Sequence, residues 1–264
     1  MASNLESSVE DLLDSPGGRI AQDIGVHLRK RARLYALIFI LGMVITFPLT
    51  KELISWLLED AGLLPEDANI ITTTPVEFIL IQVRIAAGVG LFLVLLVALS
   101  EGALKAAKSE ALRERLTESG LNIPKPRPAM IKVILSMLIL AGLGVIYSWE
   151  LLVPILLEYL QKDAASVGLE TDWRLEGFVG FIVNLTIACI IGFQAPVITT
   201  LLLRTGTVER SIIIRYRRHI WFGAFVVGAL FSPPDPLSLF MVAGPIVLLF
   251  ELALLWDRIQ TIAQ

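Results

Sequence analysis

Cysteine is all but missing from this chain: Cys189 is alone among 264 residues. One thiol excludes an intrachain disulfide and any cysteine cluster for a metal. Histidine is nearly as scarce. His27 and His219 share no HExxH spacing and have no carboxylate pair nearby, so both read as membrane-boundary residues. The sequence also lacks GxSxG, GxGxxG and the GxxxxGK phosphate loop, which argues against covalent catalysis and nucleotide hydrolysis. No catalytic residue, metal or cofactor is expected, and the chain does not read as an enzyme. Charge is sparse, at 18% against roughly a quarter in ordinary globular domains. With 22 basic and 25 acidic residues the formal net charge is -3, so there is no basic surplus to hold a nucleic-acid backbone.

What the chain does have is hydrocarbon. Hydrophobic residues make up 55%, and mean hydropathy is +0.74. They fall in six blocks, at about 34–50, 76–99, 130–151, 177–203, 219–232 and 237–256. A helix crossing a bilayer needs about 20 residues, at 1.5 Å each across roughly 30 Å. The first block is slightly short and the fifth, ending before Pro233, clearly so. A short crossing implies local thinning or tilt. The blocks lack the strict alternation of a barrel. The expectation is an all-α, multi-pass protein with six transmembrane helices. Residues 1–28 read as a polar leader in which Pro16-Gly17-Gly18 breaks any helix, 29–256 as one six-helix membrane domain, and 257–264 as a short tail. The leader does not resemble a signal peptide, because its basic run comes late, at Arg29, Lys30, Arg31 and Arg33.

Basic residues alternate between the connections. One set holds Arg29 to Arg33, then Lys105, Lys108, Arg113, Arg115, Lys125 and Arg127, then Arg204, Arg210, Arg215, Arg217 and Arg218. The other offers Lys51, Lys162 and Arg174 among several acids. The positive-inside rule then predicts both termini in the cytoplasm of a cell-membrane protein. The long outer connections, 51–75 and 152–176, have near-helical apolar spacing and read as short amphipathic helices, with Pro154 starting or bending the second. The connection at 101–129 reads as a helical extension to Gly120, followed by an extended stretch through Pro124, Pro126 and Pro128.

Four polar groups lie in or beside these blocks: Glu77, Arg84, Gln194 and Glu251. A charge in hydrocarbon is expensive, so each must face protein, water or an interface. Glu77 and Arg84 are seven residues apart on one helix face, and their direct pairing is not assured. Pro196 frees the carbonyl of Gly192, and the Gln194 amide is placed to bond into that kink; the other reading is a polar floor in a lipid-facing groove. Glu251 reads as a partner-docking point or a buried structural carboxylate. Asp235, in the turn Pro233-Pro234-Asp235-Pro236, stands where an N-cap belongs, unless it faces the bundle mouth.

Several of these features together resemble the TatC family, the polytopic core subunits of the twin-arginine protein translocase, over about residues 27–256. The resemblance is carried by Phe231, Ser232, Pro233, Pro234, Asp235 and Ser238 at the turn; by Pro245 and Glu251 in the last helix; and by Arg217 and Arg218 before the fifth. Gly192-Phe193-Gln194-Ala195-Pro196 matches the fourth-helix pattern, and Pro75, Glu77, Phe78, Gly144, Tyr147, Trp149 and Pro154 also match. Two departures stand out. Counted back from Leu34, Arg29 occupies the family's leader-glutamate position, and Gly102-Ala103-Leu104 replaces a Pro-Gly-Leu motif.

The resemblance implies a receptor that binds twin-arginine signal peptides of folded cargo, recruits small single-span TatA/TatB-type subunits, and exports cargo on the proton-motive force. It implies signal-peptide binding on the inner face by Asp23, Glu101 and Glu110, with Arg31 and Arg33 beside them. Two guanidiniums call for bidentate carboxylates. Glu77, Arg84, Gln194 and Glu251 become intramembrane or partner-docking groups, with the signal's apolar stretch on a groove floored by Gln194 or Glu77. Pro233, Pro234 and Asp235 form the outer turn. The partners expected are signal peptides, the single-span subunits and the lipid bilayer, with a homo-oligomer left open and no nucleic acid. The alternative is a secondary transporter for a small solute, opposed by the lack of an internal repeat.

Overall fold

Long helices follow from long stretches of helix-forming and apolar residues between prolines. The computed structural model describes residues 16–59, 70–71, 74–108, 126–166, 173–204, 208–233 and 235–262, with side chains from residue 29 onward apart from some at element ends. Helix α1, Pro16–Thr46, gives way to a 3₁₀ turn at Phe47–Leu49 around Pro48, and α2, Thr50–Glu59, continues from it. The residue before a proline is pushed out of helical geometry, and the Thr50 hydroxyl donates to the Phe47 carbonyl at 2.6 Å to close the turn. The expected break at Pro16-Gly17-Gly18 is not there. Pro16 opens α1 instead, where its missing N–H removes no helical bond.

Helix α3 spans Pro75–Lys108 and α4 spans Pro126–Tyr147. The extended stretch expected through Pro126 and Pro128 is likewise overturned, since both lie in the first turn of α4, the place where proline is tolerated. Pro124 and the extension towards Gly120 lie outside the described residues. After α4 comes a π-helical turn, Ser148–Leu152, and then α5, Val153–Ser166. Pro154 has no N–H to give the Glu150 carbonyl and its ring crowds that carbonyl, which accounts for the widened turn before it.

A two-residue parallel pair, β1 (Ile70–Ile71) with β2 (Trp173–Arg174), joins the two long connections, with Ile70 opposite Trp173. Helix α6, Leu175–Gly192, breaks at Phe193–Gln194 and resumes as α7, Ala195–Arg204. Helices α8 (Arg210–Arg215), α9 (Arg217–Phe231) and α10 (Pro236–Ile262) complete the chain.

Among the described residues, five helical stretches are long and apolar enough to cross a bilayer: Arg29–Glu59, Pro75–Leu104, Met130–Ser166, Leu175–Arg204 and Pro236–Gln260. The chain is thus an all-α polytopic membrane protein. Helix α9, with 15 residues, reaches only about 22 Å.

Helix α1 packs along α3, α3 against α4 and α6, α4 against α6, and α10 against α7 and α9. Glycine permits the closest of these contacts. A Cβ on Gly90 would stand 2.9 Å from the Phe39 carbonyl oxygen of α1, and one on Gly144 2.9 Å from that of Cys189 in α6. The main buried cluster gathers Ile54, Ile81, Leu152, Leu156, Phe178 and Leu185 near the end that carries the small sheet. Leu37, Ile40, Val44, Phe222 and Leu230 remain exposed, as lipid-facing residues should. We call the two ends of the bundle the sheet end and the arginine end.

Candidate functional site

At the arginine end the first side chains to meet come from α1 and α3. Arg31 and Tyr35 are one helical turn apart and share a face. Arg31 Nη1 lies 3.2 Å from Glu101 Oε1, and the Tyr35 hydroxyl donates to Glu101 Oε2 at 3.0 Å. The Glu101 side chain is 19% exposed, against 49% for Arg31. Arg33 is exposed on the same helix. Asp23 lies in α1, but its side chain is not among those described, and Glu110 lies outside the described residues.

The last helix closes this end. Glu251 Oε1 accepts from Arg217 Nε at 2.5 Å and from the Trp221 indole at 2.8 Å, and the Arg217 guanidinium sits 5.1 Å from the Trp221 ring centre. Arg210 bonds Asp257 at 3.0 Å and the Leu254 carbonyl at 3.2 Å. Both clusters tie the short helices α8 and α9 to α10. Glu251 is thus held in an ion pair, and its carboxylate still has a quarter of its surface open.

At the sheet end Glu77 and Arg84 do not pair with each other. Each takes a partner from the entry to α6. Glu77 Oε1 accepts from Arg174 at 2.5 Å, and Arg84 lies 3.7 Å from Glu176. Glu77 is buried, and its bond holds the Arg174 guanidinium above its already high ordinary pKa. Beside these groups is an open cavity of about 430 Å³ that reaches Phe231, Ser232 and Pro233. Asp235 caps α10: its Oδ1 accepts from the Ser238 N–H at 2.8 Å, and its Oδ2 from the Ser238 hydroxyl. Pro233 leads into this turn, and Pro234 lies outside the described residues.

Between the two ends lies Gln194, fully buried at the break between α6 and α7. Its backbone N–H turns to the Ile191 carbonyl at 3.0 Å, which leaves the Ile190 carbonyl without its helical donor. The side-chain amide takes over, donating to Ile190 at 3.0 Å and to Met137 of α4 at 3.4 Å. The amide thus bonds into the kink as expected, but to Ile190 rather than Gly192. Its Oε1 has no hydrogen-bond partner among the described residues.

A groove of about 560 Å³ runs between α2, α3, α4 and α6, walled by Trp56, Phe92, Val145, Trp149, Val183 and Ile187. Neither Gln194 nor Glu77 lines it, which corrects the expected polar floor. The bonds of Gln194 turn inward to the α4–α6 contact, and those of Glu77 to β2.

The sequence reading missed Tyr35, Arg174, Glu176, Trp221 and Asp257 as partners. Tyr35 had a signal, its four-residue spacing from Arg31. Arg174 and Glu176 had a fainter one, a charge pair opposite in order to Glu77 and Arg84.

Residues 24–245 match the family described as Sec-independent protein translocase protein (TatC). The chain is 30% identical to the TatC protein of Cenarchaeum symbiosum over 191 residues, covering 72% of this chain and 68% of that one. It is 28% identical to the TatCy protein of Bacillus subtilis, covering 88% and 85%. It is also 30% identical to the TatCt protein of Haloferax volcanii over 75% of this chain, but spans only 26% of that longer relative. The fold is that of a crystal structure described as the twin arginine translocase receptor TatC, with a TM-score of 0.65, 23% identity, and coverage of 89% of this chain and 97% of that one. The chain belongs to the TatC family of Sec-independent protein translocase subunits, and is a multi-pass membrane protein of transport rather than an enzyme.

Proposed function

We propose that this chain is the receptor subunit that takes the paired arginines of a signal segment at its arginine end and lays the apolar part of that segment along the groove. The observation that carries the reading is Glu101. Its carboxylate sits half-sheltered at the boundary of the bundle, already presented to one guanidinium by α1. An incoming arginine pair competes for or shares that carboxylate, in a setting where screening by water is reduced. Asp23 and Glu110 are the further acids of this face, with Arg31 and Arg33 setting its geometry. Single-span partner proteins lie against α9 and α10, where Phe222, Leu230, Phe240 and Leu248 are bare. Glu77, Arg84, Gln194 and Glu251 support the frame on which these partners rest, and the exported cargo crosses on the proton-motive force.

In this reading α9 is a sixth crossing. Helix α7 ends at the arginine end and α10 begins at the sheet end, so the chain between them must return. Six crossings put both termini on one side, and the charge asymmetry makes that side the cytoplasm. Helices α2 and α5 then lie at the outer mouth.

The test is photo-crosslinking of a signal peptide, with the reactive group beside its pair of basic residues, to membranes holding the full chain. The arginine form labels residues 19–35 or 101–118 at least several-fold better than a lysine form. Glu101→Gln reduces that labelling by about 10-fold, the size of one charge-assisted bond. Equal labelling by the two forms overturns the reading.

A further inference from the structure

The groove wall carries one charged side chain, Glu150. It lies in the π-helical turn between α4 and α5, and its side chain is exposed. It makes no hydrogen bond or ion pair with any described residue. Its surroundings are apolar. Trp149 stacks on Trp56 at 5.2 Å, and both rings line the groove. The nearby hydroxyl of Thr186 is satisfied within the fold, donating to the Ile182 carbonyl at 2.8 Å and meeting Ser148 at 3.0 Å. Glu150 is therefore a carboxylate that the fold places on a hydrocarbon wall and does not neutralise.

Position gives this charge a meaning. Glu150 stands 20 residues beyond Met130, where the third long span begins. At 1.5 Å per residue that is about 30 Å, the full hydrocarbon thickness. A helical guest anchored by its arginines near Glu101 passes Glu150 about 20 residues further along. As an apolar guest fills the groove it strips water from this carboxylate, at a cost unless the guest brings a cation.

We propose that Glu150 is a specificity residue. The groove selects apolar segments that carry a lysine or arginine about 20 residues beyond the arginine pair, and disfavours those with an acid there. A lysine reaches such a rim readily, its apolar stem on the groove wall and its ammonium at the water boundary. This rests on the receptor reading above and adds a second recognition point, on the groove wall near the sheet end.

The test uses the full chain in lipid nanodiscs and three fluorescent signal peptides, with lysine, glutamine or glutamate 20 residues after the arginine pair. Binding by the native protein falls in that order, by about 5-fold from first to last, as for a partly desolvated ion pair. Glu150→Gln flattens the order and Glu150→Lys reverses it. Because Glu150 is exposed and unpaired among the described residues, both variants are expected to elute as the native protein does. An order unchanged in Glu150→Lys, or no order in the native protein, overturns the proposal. A lysine-pair peptide measured alongside separates the two ideas. Preference for the arginine pair without a charge order sinks the role of Glu150 alone. A charge order without arginine preference sinks the receptor reading and leaves Glu150 standing.

Discussion

Glu77 and Arg174 differ sharply in their access to water, with side chains 4% and 57% exposed. That asymmetry fixes what their removal does. In Glu77→Gln the cation left behind is solvated, so little is lost. In Arg174→Ala the buried carboxylate loses the bond from Arg174, which is the costlier case. We expect Arg174→Ala to lower the melting temperature in detergent more than Glu77→Gln does. The reverse order would mean that the bond from Arg174 contributes little to holding Glu77. Gln194 gives a second residue-scale prediction. Leucine in its place fits the volume but abandons the carbonyls of Ile190 and Met137. Gln194→Leu should cost about 1–3 kcal/mol, read as a fall in unfolding temperature with expression retained. These partnerships explain why much of the site was illegible beforehand. Glu77 and Arg174 are 97 residues apart in the chain, and no spacing rule reaches that far. Pairs one turn apart, such as Arg31 and Tyr35, follow from helix geometry alone.

At the scale of elements, hydropathy blocks located every long helix, because bilayer thickness dictates their length. The errors fell where proline and glycine were taken only as breakers. Pro16, Pro126 and Pro128 all occupy first turns, and a proline's position relative to a helix start decides whether it breaks or begins one. The pairing of helices was not legible either, since apolar faces in lipid carry no inward stripe to mark the contact; steric fit of small residues does that instead. Three glycines of α3 and α4 test this. Gly90→Val and Gly144→Val drive a side chain into the backbone of the neighbouring helix, whereas Gly142 has nothing within 4 Å. The first two should lose about 1–3 kcal/mol from overpacking, seen as aggregation at lower temperature on size exclusion. Gly142→Val should behave as the native chain. Equal behaviour of all three would show that the α1–α3 and α4–α6 contacts yield to an added side chain.

For the whole molecule, the proposed sixth crossing by α9 is the reading most open to test. Its 15 residues fall short of the roughly 30 Å hydrocarbon core. Yet its ends are fixed at different levels of α10: Arg217 is bound to Glu251 in the C-terminal half of that helix, and Ser232 stands beside its N-terminal cap. A short crossing flanked by Trp221 and His219 at one end and the proline turn at the other demands a thinner membrane locally. The decisive measurement uses the near-absence of thiols. On a Cys189→Ala background, Ser211→Cys and Ser232→Cys are each exposed to a membrane-impermeant thiol reagent, with Ser166→Cys at the end of α5 as a marker of the sheet end. In intact cells Ser232→Cys and Ser166→Cys react, and Ser211→Cys reacts only after the membrane is opened. If Ser211→Cys and Ser232→Cys react from the same side, α9 is a re-entrant turn and the termini lie on opposite faces. The arginine end would then no longer share a compartment with both termini, and the assignment of Glu101 to the signal-binding face would have to rest on α1 and α3 alone.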